Sequence, residues 1–218
     1  MNSDIEFIAH CTLLIIKSEW GLGTVPVKVI KMNNEANYNF MTDTPANIFV
    51  GIGWDVNRAS QDDEFDLDAS AFLLGEDGNV ESCRDFVYYN NTKSANGAVV
   101  HTGDNRTGEG EGDDEAITVD FSMIPNSVKS IVFTVSIYDA ENRKQNFGML
   151  DNAYIRLYDE ELGELFRYDL GDTFSSETAV VFGLLYRDED RKWHFKSIGD
   201  GFNGGIVALS LLYGVFKK

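Results

Sequence analysis

Residues 101–115, HTGDNRTGEGEGDDE, place six carboxylates, four glycines and one arginine in fifteen positions. A second acidic run, QDDEFDLDAS, occupies residues 61–70, with Asp55 six residues ahead of it in GWDV. Asp66 and Asp68 are two apart, and in a strand residues i and i+2 point to the same side. Both carboxylates then face one place, while Phe65 and Leu67 face the core. Two such charges repel by about 1 kcal/mol at 4 Å in water, and by several times that near a protein surface. A fold that holds them together needs a proton, a lysine or a metal. Neither acidic run contains a lysine.

Oxygen donors without paired His or Cys select hard cations, and glycine-bearing loops that offer backbone carbonyls suit calcium better than magnesium. Asp104, Asn105, Asp113 and Asp114 can give side-chain oxygens, and Gly108, Gly110 and Gly112 free the backbone to turn its carbonyls inward. Glu109 and Glu111 either coordinate or face water. One or two calcium ions suit the two runs. The site is not an EF-hand, because DEFDLDASAFLL lacks the glycine at the sixth loop position and the flanking helices. On chemistry alone three readings stay open: a calcium cage, a solvated acidic surface and a catalytic carboxylate pair.

The elements that must position these residues come from a chain of 218 residues, 43% hydrophobic, with three prolines, enough for one large domain or two small ones. The net charge of −18 argues against a nucleic-acid partner, and against an anionic membrane surface unless a cation bridges the two. Two cysteines, Cys11 and Cys83, make no disulfide framework, and three histidines leave little for zinc, so a reducing cytoplasmic setting is expected. The apolar run FIAHCTLLII at 7–16 is too short to span a bilayer and lacks the basic flank of a signal peptide. Charges within residues 1–31 cancel, so the whole −18 belongs to 32–218. The chain reads as a divergent extension over 1–35 and one domain over 36–218.

From about residue 47 the pattern is that of strands: NIFVGIGWDV (47–56), ASAFLLG (69–75), DFVYYNN (85–91), AITVDF (116–121) and SIVFTVSIYD (130–139). AYIRLYD (153–159), LFRYDL (165–170), TAVVFGLLYRD (178–188) and KWHFKSI (192–198) continue the series. GEDGN at 75–79 predicts a hairpin turn by its Asp-Gly pair, and RDED at 187–190 predicts another. Nine or so strands with few helical stretches predict an all-β fold, an antiparallel β-sandwich. PNSVKS (125–130) and NRKQNFGML (142–150) predict short helical turns, and GGIVALSLLYGV (204–215) predicts a C-terminal helix packed on a sheet. GDGFNG at 199–204 satisfies GxGxxG, but the fourteen residues after Gly204 are too few for a βαβ unit, so it reads as a tight turn into that helix. His101 stands without a nucleophile motif and reads as a structural or outer-sphere residue next to Asp104. Trp54, Trp193 and Phe202 read as core.

VGIGWDV, FDLDASAFLL, DFVYYNN, HTGDNRTGEGEGDDE, IVFTVSIYDAE, QNFGML, NAYIRL and ETAVVFGLLYR together resemble the TerD family of bacterial tellurium-resistance and general stress proteins, relatives of cyclic-AMP-binding proteins of slime moulds. The resemblance runs from about residue 40 to 218 and implies a β-sandwich that binds calcium in its acidic loops, without established catalysis. Carried over residue by residue, it implies a calcium site of Asp66, Asp68, Asp104, Asn105, Asp113, Asp114 and Glu115. Asp55 and the backbone carbonyls near Gly108 and Gly110 follow as weaker members. The expected function is that of a non-enzymatic interaction module in stress response or tellurite resistance. Its partners are then other such proteins, some at the inner face of the membrane. A metal-dependent hydrolase and a nucleotide-binding stress protein are the alternatives. The usual first strand of the family is missing in its ordinary form, and NYNFMTDTPANIF is the stretch that can stand in for it.

Overall fold

The computed structural model describes residues 37–39, 46–55, 65–108, 112–150, 152–171 and 173–216, so the expected extension over 1–35 and the Gly110 carbonyl lie outside the described residues. Eleven strands form two antiparallel sheets among those residues. Sheet A has the order β1(Asn37–Asn39), β11(Trp193–Phe202), β10(Ala179–Arg187), β7(Ser130–Ile137), β3(Leu67–Leu74), β4(Phe86–Val87). Sheet B has the order β5(Val99–His101), β6(Glu115–Asp120), β2(Asn47–Gly53), β8(Tyr154–Asp159), β9(Gly163–Asp169). A single helical turn α1(Ala140–Arg143) follows β7, and α2(Gly205–Leu212) follows β11. The expected sandwich with few short helices and a C-terminal helix is what the chain builds.

Alternation along the strands decides which sheet faces water. β6 and β8 alternate buried with half-buried residues, so sheet B is solvated on its outer face. β3 and β7 are buried at every position, because sheet A is covered on both sides. Ile52, Ile117, Ile155, Leu67, Phe133 and Phe182 belong to the core between the sheets. Phe72, Val132, Val181, Leu184 and Phe202 form a second apolar layer on the outer face of sheet A, closed by Leu209 and Tyr213 at the C-terminal helix. The parity of β10 switches at a register shift between Val181 and Gly183, where a side chain at Gly183 would strike the Phe195 ring.

The glycine motif at 199–204 is only partly a turn. Gly199 and Gly201 lie within β11, and the turn itself is Asn203–Gly204. The first amides of α2 are already satisfied, since Gly204 and Gly205 N–H both donate to Thr178 Oγ1 at 3.1 Å. A pyrophosphate would have to displace that hydroxyl, which supports setting aside the dinucleotide reading.

Candidate metal centre

β3 emerges from the core with Asp66 and Asp68 on the opposite side from Phe65 and Leu67, as alternation requires. Asp66 is 9% exposed and Asp68 2%. The loop joining β5 to β6 brings Asp104 beside them, and ligand oxygens of Asp66, Asp68 and Asp104 all lie within 4.8 Å of one another. Two oxygens so spaced can be bridged by a pair of calcium–oxygen bonds of about 2.4 Å each, whereas magnesium demands about 2.1 Å. Asp66 Oδ1 and Asp68 Oδ2 are buried and have no hydrogen-bond partner among the described residues. Buried carboxylate oxygens are expensive to leave unmet. An all-oxygen trio with two orphaned atoms fits a hard divalent cation.

The electrostatics agree with the geometry. Burial pushes the Asp68 carboxyl up to about 8, with Glu115, Asp66 and Asp104 adding repulsion. Asp66 rises to about 6, first by burial, then through Asp104 and Glu115, while Arg143 and Arg106 pull the other way. Folded-state values above the ordinary carboxylate range mean that these groups support folding below about pH 4 and lose that contribution as pH rises through 6 and then 8. The metal-free chain should therefore be less stable at pH 8 than at pH 5, and a saturating divalent cation should flatten that slope. Scanning calorimetry of chelator-stripped protein across this range checks it. A slope of the same size in the Asp66→Ala/Asp68→Ala double variant would assign it to other groups.

The remaining residues of the acidic motif take other work. Glu115, 1% exposed, stands at the start of β6 in sheet B yet serves sheet A. Ala69 N–H donates to its Oε2 at 2.9 Å, on the stretch of β3 that β4 does not reach. Its Oε1 accepts from Asn105 N–H at 3.3 Å, and His101 Nε2 lies 3.2 Å from Oε2. Gly103 N–H donates to His101 Nδ1. Glu115 thus ties the two sheets and the loop together beneath the trio. His101 packs against Glu115.

Asn105 organises the loop. Its Oδ1 accepts from the amides of Thr107 and Gly108, and its Nδ2 donates to Asp114 Oδ1 at 2.9 Å. Asp114 Oδ2 accepts from Trp54 N–H, and Asp55 Oδ2 accepts from Asn152 Nδ2. Gly108, at φ +65°, leans on Trp54, where a Cβ would come within 2.6 Å of the indole nitrogen. Asp113 turns to the outer face of sheet B. Arg156 donates to both of its oxygens, Tyr154 OH donates to Oδ1, and it lies over Gly51, where any side chain would collide with it. The structure therefore brings together Asp66, Asp68 and Asp104, the last also accepting from Arg106 Nε at 3.0 Å, and engages Asp55, Asn105, Asp113, Asp114 and Glu115 with protein partners alone.

Two aromatic residues that composition did not single out flank the trio. Tyr89 and Tyr138 meet edge to face at 6.1 Å between centroids. The Tyr89 hydroxyl is pushed up to about 12 by burial and then by the charge of Asp68, which places that ring within the field of the site.

Comparison with known proteins shows the family. The TerD domain family matches residues 29–213. The chain is 44% identical over 189 residues to the tellurium resistance protein TerD of Alcaligenes sp, covering 85% of this chain and 97% of that one. It is 47% identical over 169 residues to general stress protein 16U of Bacillus subtilis, covering 77% and 87%. A solved structure of a Streptomyces coelicolor homologue of telluride resistance protein (TerD) superposes with a TM-score of 0.65 at 20% identity, covering 77% of this chain and 96% of that one, a likeness of fold. Among the described residues no helix is long and apolar enough to cross a membrane. Sandwich, acidic motif and extent of match converge: the chain belongs to the TerD family of tellurium-resistance and general stress proteins.

Proposed function

We propose that this protein binds one calcium ion through Asp66, Asp68 and Asp104 and acts in the stress or tellurite response as a non-catalytic interaction module of the cytoplasm. The observation that carries the reading is the pair of buried, partnerless oxygens, Asp66 Oδ1 and Asp68 Oδ2, converging with Asp104. An ion there neutralises three like charges and pins the β5–β6 loop to the start of β3, so binding and local order are coupled. Calcium takes six to eight oxygens, so backbone carbonyls of the loop and water complete the shell. The family names of the relatives support the stress and resistance setting. Other proteins of the same response are the partners that such a calcium-ordered loop would present itself to.

Terbium, a luminescent stand-in for calcium, tests the site. Excited through tyrosine, terbium held by the trio should emit by transfer from Tyr89 and Tyr138, and calcium should quench the signal by competition. Tyr89→Phe should dim the emission and leave calcium affinity unchanged, whereas Asp68→Ala should abolish both. Emission that survives Asp68→Ala at full strength would place the ion elsewhere and sink this reading. A hydrolase would differ in preferring magnesium or manganese and in turning over a phosphate or acyl ester.

A further inference from the structure

Two successive outer-face pairs of the β3/β7 ladder differ in a way that folding alone does not explain. On the outer face of sheet A, Ser70 stands opposite Thr134, and Asp68 stands opposite Ser136. Ser70 and Thr134 close a hydrogen bond between their hydroxyls at 2.7 Å. At the next pair on that face, Ser136 is 1% exposed and its Oγ has no partner among the described residues, and neither has Asp68 Oδ2. A buried hydroxyl left without a partner is a cost that alanine at the same position would not carry. Directly opposed residues hold their Cβ atoms about 4.5–5.5 Å apart, so a rotamer change brings a hydroxyl within reach of the facing carboxylate.

We propose that Ser136 is a positioning residue of the metal centre, its hydroxyl donating to the Asp68 carboxylate when that group holds the cation. This rests on the calcium reading above and adds a residue of β7 to a site otherwise built from β3 and the β5–β6 loop. A hydrogen bond to an ionised carboxylate is stronger than one between neutral groups. Bonds from outside the coordination shell commonly fix the orientation of ligating carboxylates. The hydroxyl gains a partner, on this reading, only when the carboxylate holds the ion. Its removal therefore acts differently on the two states.

The test uses the full chain with Ser136→Ala and Ser136→Cys, melted without metal and titrated with calcium in a calorimeter. Ser136→Ala should leave the metal-free melting temperature unchanged or higher, and weaken calcium affinity about tenfold. Ser136→Cys, similar in size and a weak donor, should fall between alanine and the parent. A lower metal-free melting temperature with unchanged calcium affinity would mark a purely structural serine and overturn the proposal. A parent chain that takes up no calcium overturns the metal reading together with this one, so the parent's titration separates the two failures.

Discussion

Asp68→Ala raises the melting temperature of the metal-free protein at pH 8 and lowers that of the protein in saturating calcium. The crossing of signs follows from burial. Asp68 is 2% exposed with a partnerless oxygen, beside Asp66, Asp104 and Glu115. Without a cation the carboxylate is a liability, and removing it relieves on the order of 1–3 kcal/mol. For a chain of this size that is a few degrees, at about 2–4 °C per kcal/mol. On the calcium reading the same group is a ligand. The parent then gains about 2.7 kcal/mol at a calcium concentration one hundred times the dissociation constant, and the variant forfeits it. Asp66→Ala/Asp68→Ala should behave alike with larger amplitude. A variant less stable than its parent in both conditions would show that Asp68 holds the fold rather than a metal.

Glu115→Gln is expected to approach Glu115→Ala in damage, at about 1–3 kcal/mol for each donor left unmet and several degrees in melting temperature. The reason is the sign of its surroundings. Ala69 N–H and Asn105 N–H both donate to this carboxylate, and His101 packs against it. An amide in its place turns its own donor toward one of these two, and alanine leaves both unmet inside the protein. Because Glu115 joins β3 to the loop that carries Asp104, either variant should also weaken calcium binding. Urea denaturation with and without calcium measures both effects. A Glu115→Gln protein as stable as its parent would mean that these donors find other acceptors.

The sequence made the strands legible, and with them the side on which Asp66 and Asp68 stand, because a period of two needs no knowledge of the partner strand. Phe65 and Leu67 enter the core as that period requires. Three-residue strands carry too few residues for a period, and β5(Val99–His101) is not legible in the sequence for that reason. The acidic loop was legible as a block of ligand types but not as a division of labour. Asp113 is claimed by Arg156, forty-three residues on in sequence, and Glu115 by Ala69, forty-six residues back. Such assignments depend on strand register and on which sheet each end of the loop joins. The same holds for Ser136, which meets Asp68 only through the pairing of β3 with β7.

The central claim is that the trio of Asp66, Asp68 and Asp104 is a calcium site. Calorimetric titration of calcium into chelator-stripped full-length protein, run beside Asp66→Ala/Asp68→Ala, tests it most directly. One ion bound per chain in the parent, with proton release near neutral pH and no binding in the double variant, is the predicted result. A parent that takes up no calcium, or a double variant that binds as tightly as its parent, would contradict it.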